Sequence, residues 1–380
     1  MIDTEAFLDA IDSCNIRFVT GVPDSLLKDV CAQITSSFSA DRHIISTNEG
    51  SSVGLAIGHY LATQCPALVY MQNSGLGNII NPLTSLADPL VYSIPMLLLI
   101  GWRGEIEENG VQLKDEPQHK KQGELTLNQL ELLDIPYEIL DKNCPDINEL
   151  MANMSAKAIS RSGPVAIVVR KGTFIPFKLE EKTGVLFPML REQVIENIVK
   201  NVPEDWPFIC TTGVASRELF EIRKNNNQGH RKDFLTVGGM GHASSIAAGI
   251  AFSMPNKKVI CIDGDGAALM HLGALAINSD CLNLVHILIN NEAHDSVGGQ
   301  PTKGGRINFN KVGTLLGYKH AMQVDNSDSL RAELLECQHR IGSVLIEVRC
   351  TAGFRSDLSR PDRTPIENKN DFMDFIRADN

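Results

Sequence analysis

Short apolar runs recur along the chain, separated by longer stretches in which apolar residues follow helical spacing. The runs are rich in valine, isoleucine and leucine and have the length of buried strands. They read RFVT, ALVYM, PMLLLI, PVAIVV, PFICTT, KKVICI, LVHILI and SVLIEV. Apolar runs that alternate with helices are typical of parallel sheets. We therefore predict an α/β fold whose strand ends face a crevice.

The two halves of the chain contain similar landmarks in the same order. Thr20-Gly21-Val22 corresponds to Thr212-Gly213-Val214, GLAIGHYLA around Gly58 to IAAGIAFS around Gly249, and QNSG ending at Gly75 to DGDG ending at Gly266. The spacing is nearly the same in all three pairs. It predicts two similar domains, each a parallel sheet flanked by helices, although convergent glycine-rich turns would produce the same pattern.

The boundary between the halves is predicted in the segment IPFKLEEKTGVLFP. Pro176, Gly184 and Pro188 interrupt regular structure there. We place one domain at 1–180 and the other at 181–380.

Composition narrows the choice of partners. The 380 residues are 43% hydrophobic and 21% charged, as in ordinary globular proteins, and the net charge is -11 without long charged blocks. We expect no nucleic-acid partner. The nine cysteines are scattered and odd in number, which argues against a disulfide framework. The acidic N-terminus does not resemble a signal peptide and no apolar run is long enough to span a membrane, so we expect a cytoplasmic protein without a membrane partner.

Oxygen-bearing side chains follow two apolar runs in the C-terminal half. KKVICI ends at Asp263-Gly264-Asp265-Gly266, and LVHILI ends at Asn290-Asn291. Adjacent parallel strands would bring Asp265 and Asn291 to one edge, where helix N-termini bind phosphate groups. Carboxylate and amide oxygens are ligands for Mg²⁺ or Ca²⁺. Gly266 would allow a phosphate to approach the backbone closely.

Simpler interpretations of these motifs exist. A lone GDG arises by chance, and NN is common in turns. An EF-hand loop starting at DGDG is excluded, because alanines occupy the positions that need a ligand, a glycine and a glutamate. The order strand, GDG, helix, strand, NN is more specific than either motif alone.

The segment GDGAALMHLGALAINSDCLNLVHILINN resembles the signature of thiamine diphosphate enzymes. The resemblance implies that Asp265, Asn291 and the carbonyl of Ala293 bind Mg²⁺. It also implies that the metal anchors the cofactor diphosphate beside Gly264, Asp265, Gly266 and Ala267.

The same family requires a carboxyl group for the cofactor aminopyrimidine. Glu49 in HIISTNEGSSVGLAIGHYLA follows a strand and begins a helix of small residues, as the family glutamate does. On this segment alone, the simpler interpretation is that Asn48 caps the helix and Glu49 offsets its dipole, and it is the GDG…NN signature that favours the cofactor role. The segment TVGGMGHASSIAAGIAFS resembles the part that props the cofactor, with Met240 as the bulky residue and the Gly238 carbonyl as an acceptor. Read by itself, it is a glycine-rich turn with a core methionine.

Nearly the whole chain resembles the phosphonopyruvate decarboxylases and the related sulfopyruvate decarboxylases. The matching segments include GVPDSLLKDV, TNEGSSVGLAIGHYLAT, NSGLGNIINPLTSL, GWRGE, DEPQHKKQG, NNEAHDSVGGQPT and DLSRPDRTPIENK. The resemblance implies decarboxylation of 3-phosphonopyruvate to phosphonoacetaldehyde and CO₂, in biosynthesis of phosphonates such as 2-aminoethylphosphonate. Sulfopyruvate or another 2-oxo acid is the alternative substrate.

A dianionic phosphonate needs cations, and the final protonation needs an acid. Candidate substrate-binding cations are Arg103, Lys120, Lys121, Lys303, Arg306 and Arg360. Taken singly, each is expected to be a solvated surface charge, and the prediction is that some of them converge on the substrate. His119 lies where pyruvate decarboxylases carry active-site histidines. Asp24 and Ser25 could assist proton movement, and His294, Asp295 or a water could supply the last proton, because Val297 replaces a glutamate of pyruvate decarboxylases.

The family places its cofactor between domains of different subunits, so we expect a homo-oligomer with active sites at subunit interfaces. An alternative of another class is a catalytically idle α/β protein that binds Mg²⁺ and a nucleotide phosphate. The sequence lacks the P-loop pattern such a protein would use.

Overall fold

The structure is a computed structural model that describes residues 1–107, 109–179 and 186–378. The chain forms two compact units, Met1–Glu180 and Glu181–Asn380. Each contains one sheet of six parallel strands with helices packed on it. The predicted fold class is confirmed. In the predicted connecting segment, Pro176 and Pro188 lie in irregular chain, and Gly184 lies outside the described residues.

Strands and helices alternate in the first unit. Its strands are β1 Val19–Gly21, β2 His43–Ile45, β3 Ala67–Gln72, β4 Met96–Gly101, β5 Tyr137–Leu140 and β6 Pro164–Val169. Its helices are α1 Thr4–Ser13, α2 Lys28–Ser37, α3 Glu49–Thr63, α4 Leu76–Pro82, α5 Pro117–Leu132 and α6 Ile147–Arg161, with short helical turns at Asn73–Gly75 and Leu83–Ala87.

The second unit repeats this alternation. Its strands are β7 Phe208–Cys210, β8 Asp233–Leu235, β9 Val259–Gly264, β10 Leu284–Asn290, β11 His320–Val324 and β12 Val344–Arg349. Its helices are α7 Arg191–Asn201, α8 Val214–Asn225, α9 Ala243–Ser253, α10 Asp265–Met270, α11 Ala274–Asn278, α12 Phe309–Leu316, α13 Ser327–Cys337 and α14 Pro365–Ala378, with short helical turns at Asp295–Val297 and Gly304–Arg306. Among the described residues, no helix combines the length and apolar character that a bilayer crossing requires.

The two sheets have the same topology. The strand orders are β2-β1-β3-β4-β6-β5 and β11-β12-β10-β9-β7-β8. With the strands of each unit numbered in chain order, the first sheet has the order 2-1-3-4-6-5. The second sheet has the same order when it is read from its other end. In each sheet the chain leaves the first strand toward one side and later continues from the third strand toward the other side. Ligands of open α/β sheets bind beyond the carboxyl ends of the strands at such a switch point.

Both faces of each sheet are buried, which explains why the strands are continuously apolar. In β4, Leu97 and Leu99 pack in one core cluster with α1, α2 and α6. Met96, Leu98 and Ile100 alternate with them and pack in a second cluster with α3, α4 and α5. Shortening such a side chain to alanine typically costs about 2–5 kcal/mol. The buried sheet is therefore a rigid base for its strand ends.

Candidate active site

Asp265 and Asn291 follow neighbouring strands of the second sheet. Gly264 ends β9 opposite Ile289 of β10, so the residues that follow each strand reach the same edge. Asp265 is the first residue of α10, and Asn291 comes directly after β10. Both side chains are buried. The structure brings these two predicted metal ligands to one sheet edge.

The carboxyl group of Asp265 has little access to water. Thr302 Oγ1 donates a hydrogen bond to Asp265 Oδ2, and the backbone of Gly304 lies so close that an added Cβ would collide with that oxygen. Burial raises the pKa of Asp265 to about 7, against the opposing effect of the Thr302 hydrogen bond. A buried carboxyl group lacks the hydration that stabilises its charged form, and a bound cation would supply that stabilisation.

The Asn291 amide has a defined orientation. Its Nδ2 donates to Asp295 Oδ2 at 2.7 Å, and its Oδ1 accepts from the Ala293 backbone N–H at 3.2 Å. Ala293 pairs with Pro301 in a short antiparallel bridge. The hydrogen bonds of this bridge run from the His294 N–H to the Gln300 carbonyl and from the Thr302 N–H to the Glu292 carbonyl. The Ala293 carbonyl accepts neither of them.

These groups fit a hard divalent cation. Asp265 and Asn291 offer oxygen atoms, and the carbonyl of Ala293 is available as a third. Asn290 Oδ1 is also buried near Asp265 and has no hydrogen-bond partner among the described residues. A cluster of acceptor oxygens with few donors favours a cation.

A glycine-rich turn lies against α10. Gly239 and Gly241 have positive φ angles of 65° and 89°. A Cβ at Gly241 would lie 3.0 Å from the Ala267 carbonyl oxygen and 2.7 Å from the His271 ring, so only glycine allows this approach. Gly238 and the half-buried Met240 lie on the same turn, between β8 and α9. The turn is therefore adjacent to the GDG segment, as a cofactor cradle would require.

Two of the predicted cations lie beside this edge. Lys303 and Arg306 flank Gly304, which touches Asp265. Burial, and then the charge of Arg306, lower the pKa of Lys303. Across residues 186–378, neither cation has a carboxylate partner. Arg360 is exposed in the loop that precedes α14.

His294 packs against Gly266 at the start of α10. A Cβ at Gly266 would lie 3.1 Å from the His294 ring. Burial lowers the pKa of His294 to about 4. The imidazole is therefore neutral near pH 7 and does not carry an acidic proton there.

Glu49 lies in the first unit as the first residue of α3. Its side chain is buried, and its Oε2 accepts from Asn78 Nδ2 at 2.7 Å. Asn48 caps the helix by accepting from the Ser51 N–H at 2.8 Å. Gly75 lies so close that an added Cβ would be 2.8 Å from Glu49 Oε1. Asn48 does cap α3, but the helix dipole alone does not explain a buried carboxyl group held by Asn78.

A second group of predicted residues lies at the carboxyl ends of β1 and β4. Arg103 follows β4 and donates from Nη1 to Ser25 Oγ at 2.8 Å and from Nε to Asp115 Oδ2 at 2.8 Å. Asp24 Oδ2 accepts from the backbone N–H groups of Leu26 and Leu27. Burial raises the pKa of Asp24 to about 6, against these hydrogen bonds. This carboxyl group can gain or lose a proton near neutral pH.

His119 is buried beside this group, and its lysine neighbours are not. Burial, and then the charge of Arg103, lower the pKa of His119. His119 Nδ1 is buried without a hydrogen-bond partner among the described residues. Lys120 and Lys121 are exposed, and Lys121 Nζ pairs with Glu124 at 2.6 Å. The structure thus gathers Asp24, Ser25, Arg103 and His119 and leaves the two lysines on the surface.

Comparison with known proteins identifies the family. Residues 3–132 match the family model "Thiamine pyrophosphate enzyme, N-terminal TPP binding domain", and residues 211–348 match "Thiamine pyrophosphate enzyme, C-terminal TPP binding domain". The chain is 30% identical to a phosphonopyruvate decarboxylase of Streptomyces viridochromogenes, over 99% of this chain and 95% of the relative. A phosphonopyruvate decarboxylase of Streptomyces hygroscopicus is also 30% identical, with 99% and 94% covered. The chain belongs to the thiamine diphosphate-dependent decarboxylases.

A sulfopyruvate decarboxylase of Methanosarcina acetivorans is 28% identical, over 86% of this chain and 85% of the relative. This decarboxylase therefore has relatives with two different named substrates. The cofactor is thiamine diphosphate, and the reaction class is carbon-carbon bond cleavage with loss of CO₂.

Four residues that contact the predicted site residues were not predicted from the sequence of this decarboxylase. They are Asn78 beside Glu49, Asp115 beside Arg103, Thr302 beside Asp265, and Arg191, which pairs with Asp295. Asn78, Asp115 and Thr302 lie within quoted family segments, so a search of those segments for polar side chains could have found them. Arg191 lies at the start of α7, outside every quoted segment, and no sequence signal indicated it.

Proposed function

We propose that this chain decarboxylates 3-phosphonopyruvate to phosphonoacetaldehyde and CO₂, with thiamine diphosphate and Mg²⁺. The main support is 30% identity to two phosphonopyruvate decarboxylases over 99% of the chain. The product aldehyde would enter biosynthesis of 2-aminoethylphosphonate. The nine cysteines are unpaired thiols in the structure, which is compatible with the cytoplasmic location we propose.

Asp265, Asn291 and the Ala293 carbonyl would bind Mg²⁺, and the segment Gly264–Ala267 would receive the diphosphate. Three oxygens from the protein leave room for phosphate oxygens and water in an octahedral shell. The backbone N–H groups at the start of α10 would face the diphosphate charge. Residues 181–380 would thus bind the diphosphate.

Residues 1–180 would bind the aminopyrimidine. Glu49 would hold a proton at the pyrimidine ring, and Asn78 fixes the position of its carboxyl group by a hydrogen bond. Gly238 and Met240 of the other unit would support the remaining part of the cofactor. When bound, thiamine diphosphate supplies the electron sink for decarboxylation.

The charged residues suit a substrate with a phosphonate and a carboxylate. Lys303 and Arg306 lie at the two ends of the turn whose Gly304 touches Asp265. Neither has a carboxylate partner in the described part of the second unit, so their charges are available to an anion. Arg103 is held in place by Asp115. We propose these three cations as substrate ligands. Arg306, Lys120, Lys121 and Arg360 are all exposed, and of these four only Arg306 lies on the turn that touches Asp265, so the other three are weaker candidates.

Asp24 is the best candidate for the final proton. Its pKa of about 6 allows a protonated fraction near neutral pH, whereas the His294 pKa of about 4 leaves that imidazole neutral. Ser25 and His119 would position the substrate beside it. Ser25 is already oriented by Arg103 Nη1.

We also propose a homo-oligomer with active sites between subunits. Two glycines of α3, Gly54 and Gly58, have open space where a Cβ would lie, and Leu55 and Leu61 beside them are exposed. In the second unit, Gly249 of α9 is equally open and Phe252 is exposed. Small residues flanked by exposed apolar ones suit close helix packing against another copy.

Sulfopyruvate is the second candidate substrate, because a sulfopyruvate decarboxylase aligns with 86% of the chain. Steady-state rates with phosphonopyruvate, sulfopyruvate and pyruvate test the choice. We expect the highest kcat/KM with phosphonopyruvate. A higher kcat/KM with sulfopyruvate would overturn the substrate assignment while leaving the cofactor site intact.

A further inference from the structure

A buried chain of ion pairs lies behind Asn291. Arg191 donates from Nε to Glu218 Oε2 at 2.8 Å and from Nη2 to Glu218 Oε1 at 3.1 Å. Its Nη1 donates to Asp295 Oδ2 at 2.8 Å. The same Asp295 oxygen accepts from Asn291 Nδ2 at 2.7 Å and from the Gly353 N–H at 3.2 Å. Arg191 thus connects α8 to the loop that carries a proposed metal ligand.

Stability alone does not account for a cation at this position. Arg191 is 8% exposed and Glu218 is 2% exposed, and replacing buried ion pairs by packed apolar residues is often neutral or stabilising. Arg191 is also the first residue of α7, where the helix dipole disfavours positive charge. Arg191 differs from other buried cations of this unit in that its partner Asp295 also accepts a hydrogen bond from Asn291.

Asp295 binds the NH₂ end of the Asn291 amide at 2.7 Å, and the Ala293 N–H holds the oxygen end more loosely at 3.2 Å. An asparagine can present its oxygen or its NH₂ group in a given direction after a half-turn of the amide. A carboxylate oxygen accepts hydrogen bonds, so Asp295 Oδ2 binds Nδ2 and Oδ1 lies on the other side of the amide. Arg191 Nη1 donates to the same Asp295 oxygen and places its positive charge beside it.

We infer that Arg191 and Asp295 are positioning residues that orient the amide oxygen of Asn291 toward the divalent cation. The inference rests on the metal site of the proposed function. The Arg191 guanidinium contacts Glu218 and Asp295 with different nitrogens. A lysine ammonium is a single charge without this planar fork and cannot reproduce both contacts.

Mn²⁺ binding to the full chain, saturated with thiamine diphosphate, tests this role. Free Mn²⁺ is measured by electron paramagnetic resonance, so the readout does not depend on turnover. We expect Arg191→Met and Asp295→Asn each to weaken Mn²⁺ binding about 10- to 100-fold, the usual effect of removing a residue that orients a metal ligand. Arg191→Lys should restore only part of the affinity.

Arg223→Met provides a matched control. Arg223 and Asp233 form a buried ion pair in the same unit, 1% and 0% exposed, joined through Nε and Nη2. This variant should lower the Tm of the metal-free chain and leave Mn²⁺ affinity unchanged. If Arg191→Met does not fold, Asp295→Asn and Arg191→Lys still give the measurement.

Asn291→Leu separates the two ways in which the account can fail. If this variant binds Mn²⁺ as tightly as the wild type, the proposed metal site is wrong and the positioning role fails with it. If it loses binding while Arg191→Met and Asp295→Asn keep wild-type affinity, only the positioning role is overturned. Equal weakening by Arg223→Met would also overturn it.

Discussion

Two carboxyl groups of the first unit lie at strand ends in different surroundings. Glu49 accepts a hydrogen bond from a neutral amide, that of Asn78. Asp24 Oδ2 accepts from two backbone N–H groups, and its Oδ1 is buried without a hydrogen-bond partner among the described residues. Both side chains are buried, and burial raises the pKa of Asp24 to about 6, which suits a group that exchanges a proton. The proposed chemistry assigns Glu49 to the cofactor and Asp24 to the substrate.

Glu49→Gln should slow proton exchange at C2 of bound thiamine diphosphate about 100- to 10,000-fold, the range for removal of a general acid or base. The diphosphate and metal contacts lie on other residues, so cofactor affinity should change little. Deuterium exchange followed by NMR, with calorimetry for binding, measures both. Glu5→Gln removes a first-turn acid from α1 and serves as the control for a helix-dipole effect. An unchanged exchange rate in Glu49→Gln would refute the assigned role.

Asp24→Asn should alter the dependence of stability on pH. Burial raises the pKa of Asp24 from 3.8 to about 6, so the folded chain holds this proton more tightly than the unfolded chain. The contribution of this proton to the free energy of unfolding is complete below about pH 4, falls as the pH rises and is lost above about pH 6. The variant should match the wild type at pH 4 and exceed its free energy of unfolding by about 2–3 kcal/mol at pH 8.

Urea unfolding of the cofactor-free chain at pH 4, 6 and 8 measures this difference. Asp9 is exposed on α1, and Asp9→Asn should show no such trend. A pH-independent difference between Asp24→Asn and the wild type would contradict the assigned burial effect.

The sequence indicated candidate site residues but not the side chains that contact them in the structure. Asp265, Asn291 and Glu49 follow strands, and the strand runs were visible as apolar blocks. Their partners were not visible because side-chain pairing depends on the folded chain: Asn78 and Glu49 are 29 residues apart, and Thr302 and Asp265 are 37 apart. The sequence also could not separate Arg103, which is held at the site, from Lys121, which is paired on the surface.

The helical turn after β3 places the backbone of Gly75 against the Glu49 side chain. A Cβ at Gly75 would lie 2.7–2.9 Å from the Glu49 side chain, whereas a Cβ at Gly77 would meet nothing within 4 Å. Gly75→Ala should therefore displace the carboxyl group and slow C2 proton exchange about 10-fold or more. Gly77→Ala lies in α4 and should keep the wild-type rate and gain up to about 1 kcal/mol of stability. Equal exchange rates in the two variants would show that Gly75 does not set the position of Glu49.

All eight apolar runs form strands, and the predicted strand before Glu49 is β2. The three strands that the pattern did not predict, β5, β8 and β11, lie in outer positions of the sheets. Residues Glu138 and Ile139 of β5 are exposed. An edge strand is covered on fewer sides, so it carries fewer apolar residues and gives a weaker pattern.

The shared strand order makes duplication the simplest origin of the two units. Gly21 ends the first strand of one unit and Gly213 follows the first strand of the other, and each unit has a small-residue helix with an open glycine face. The proposed division of labour assigns Glu49 to one copy and Asp265 to the other. In the proposed function, the two similar folds would bind opposite ends of one cofactor.

Mixing two inactive variants tests whether different chains share an active site. Glu49→Gln and Asp265→Asn chains should each be inactive alone. If each site takes Glu49 from one chain and Asp265 from another, equal mixing and reassembly should restore roughly a quarter of wild-type activity, because half of the pairs are mixed and each mixed pair has one intact site. Wild-type chains taken through the same reassembly provide the reference. No recovery would place both residues of each site in one chain.

The most direct test of the proposed reaction is ³¹P NMR of phosphonopyruvate incubated with the purified chain, thiamine diphosphate and Mg²⁺, with CO₂ release recorded in parallel. The phosphonopyruvate signal should be replaced by that of phosphonoacetaldehyde with one CO₂ per product, and removal of either the cofactor or the metal should stop the conversion. Persistence of phosphonopyruvate with the cofactor and metal bound would contradict the account.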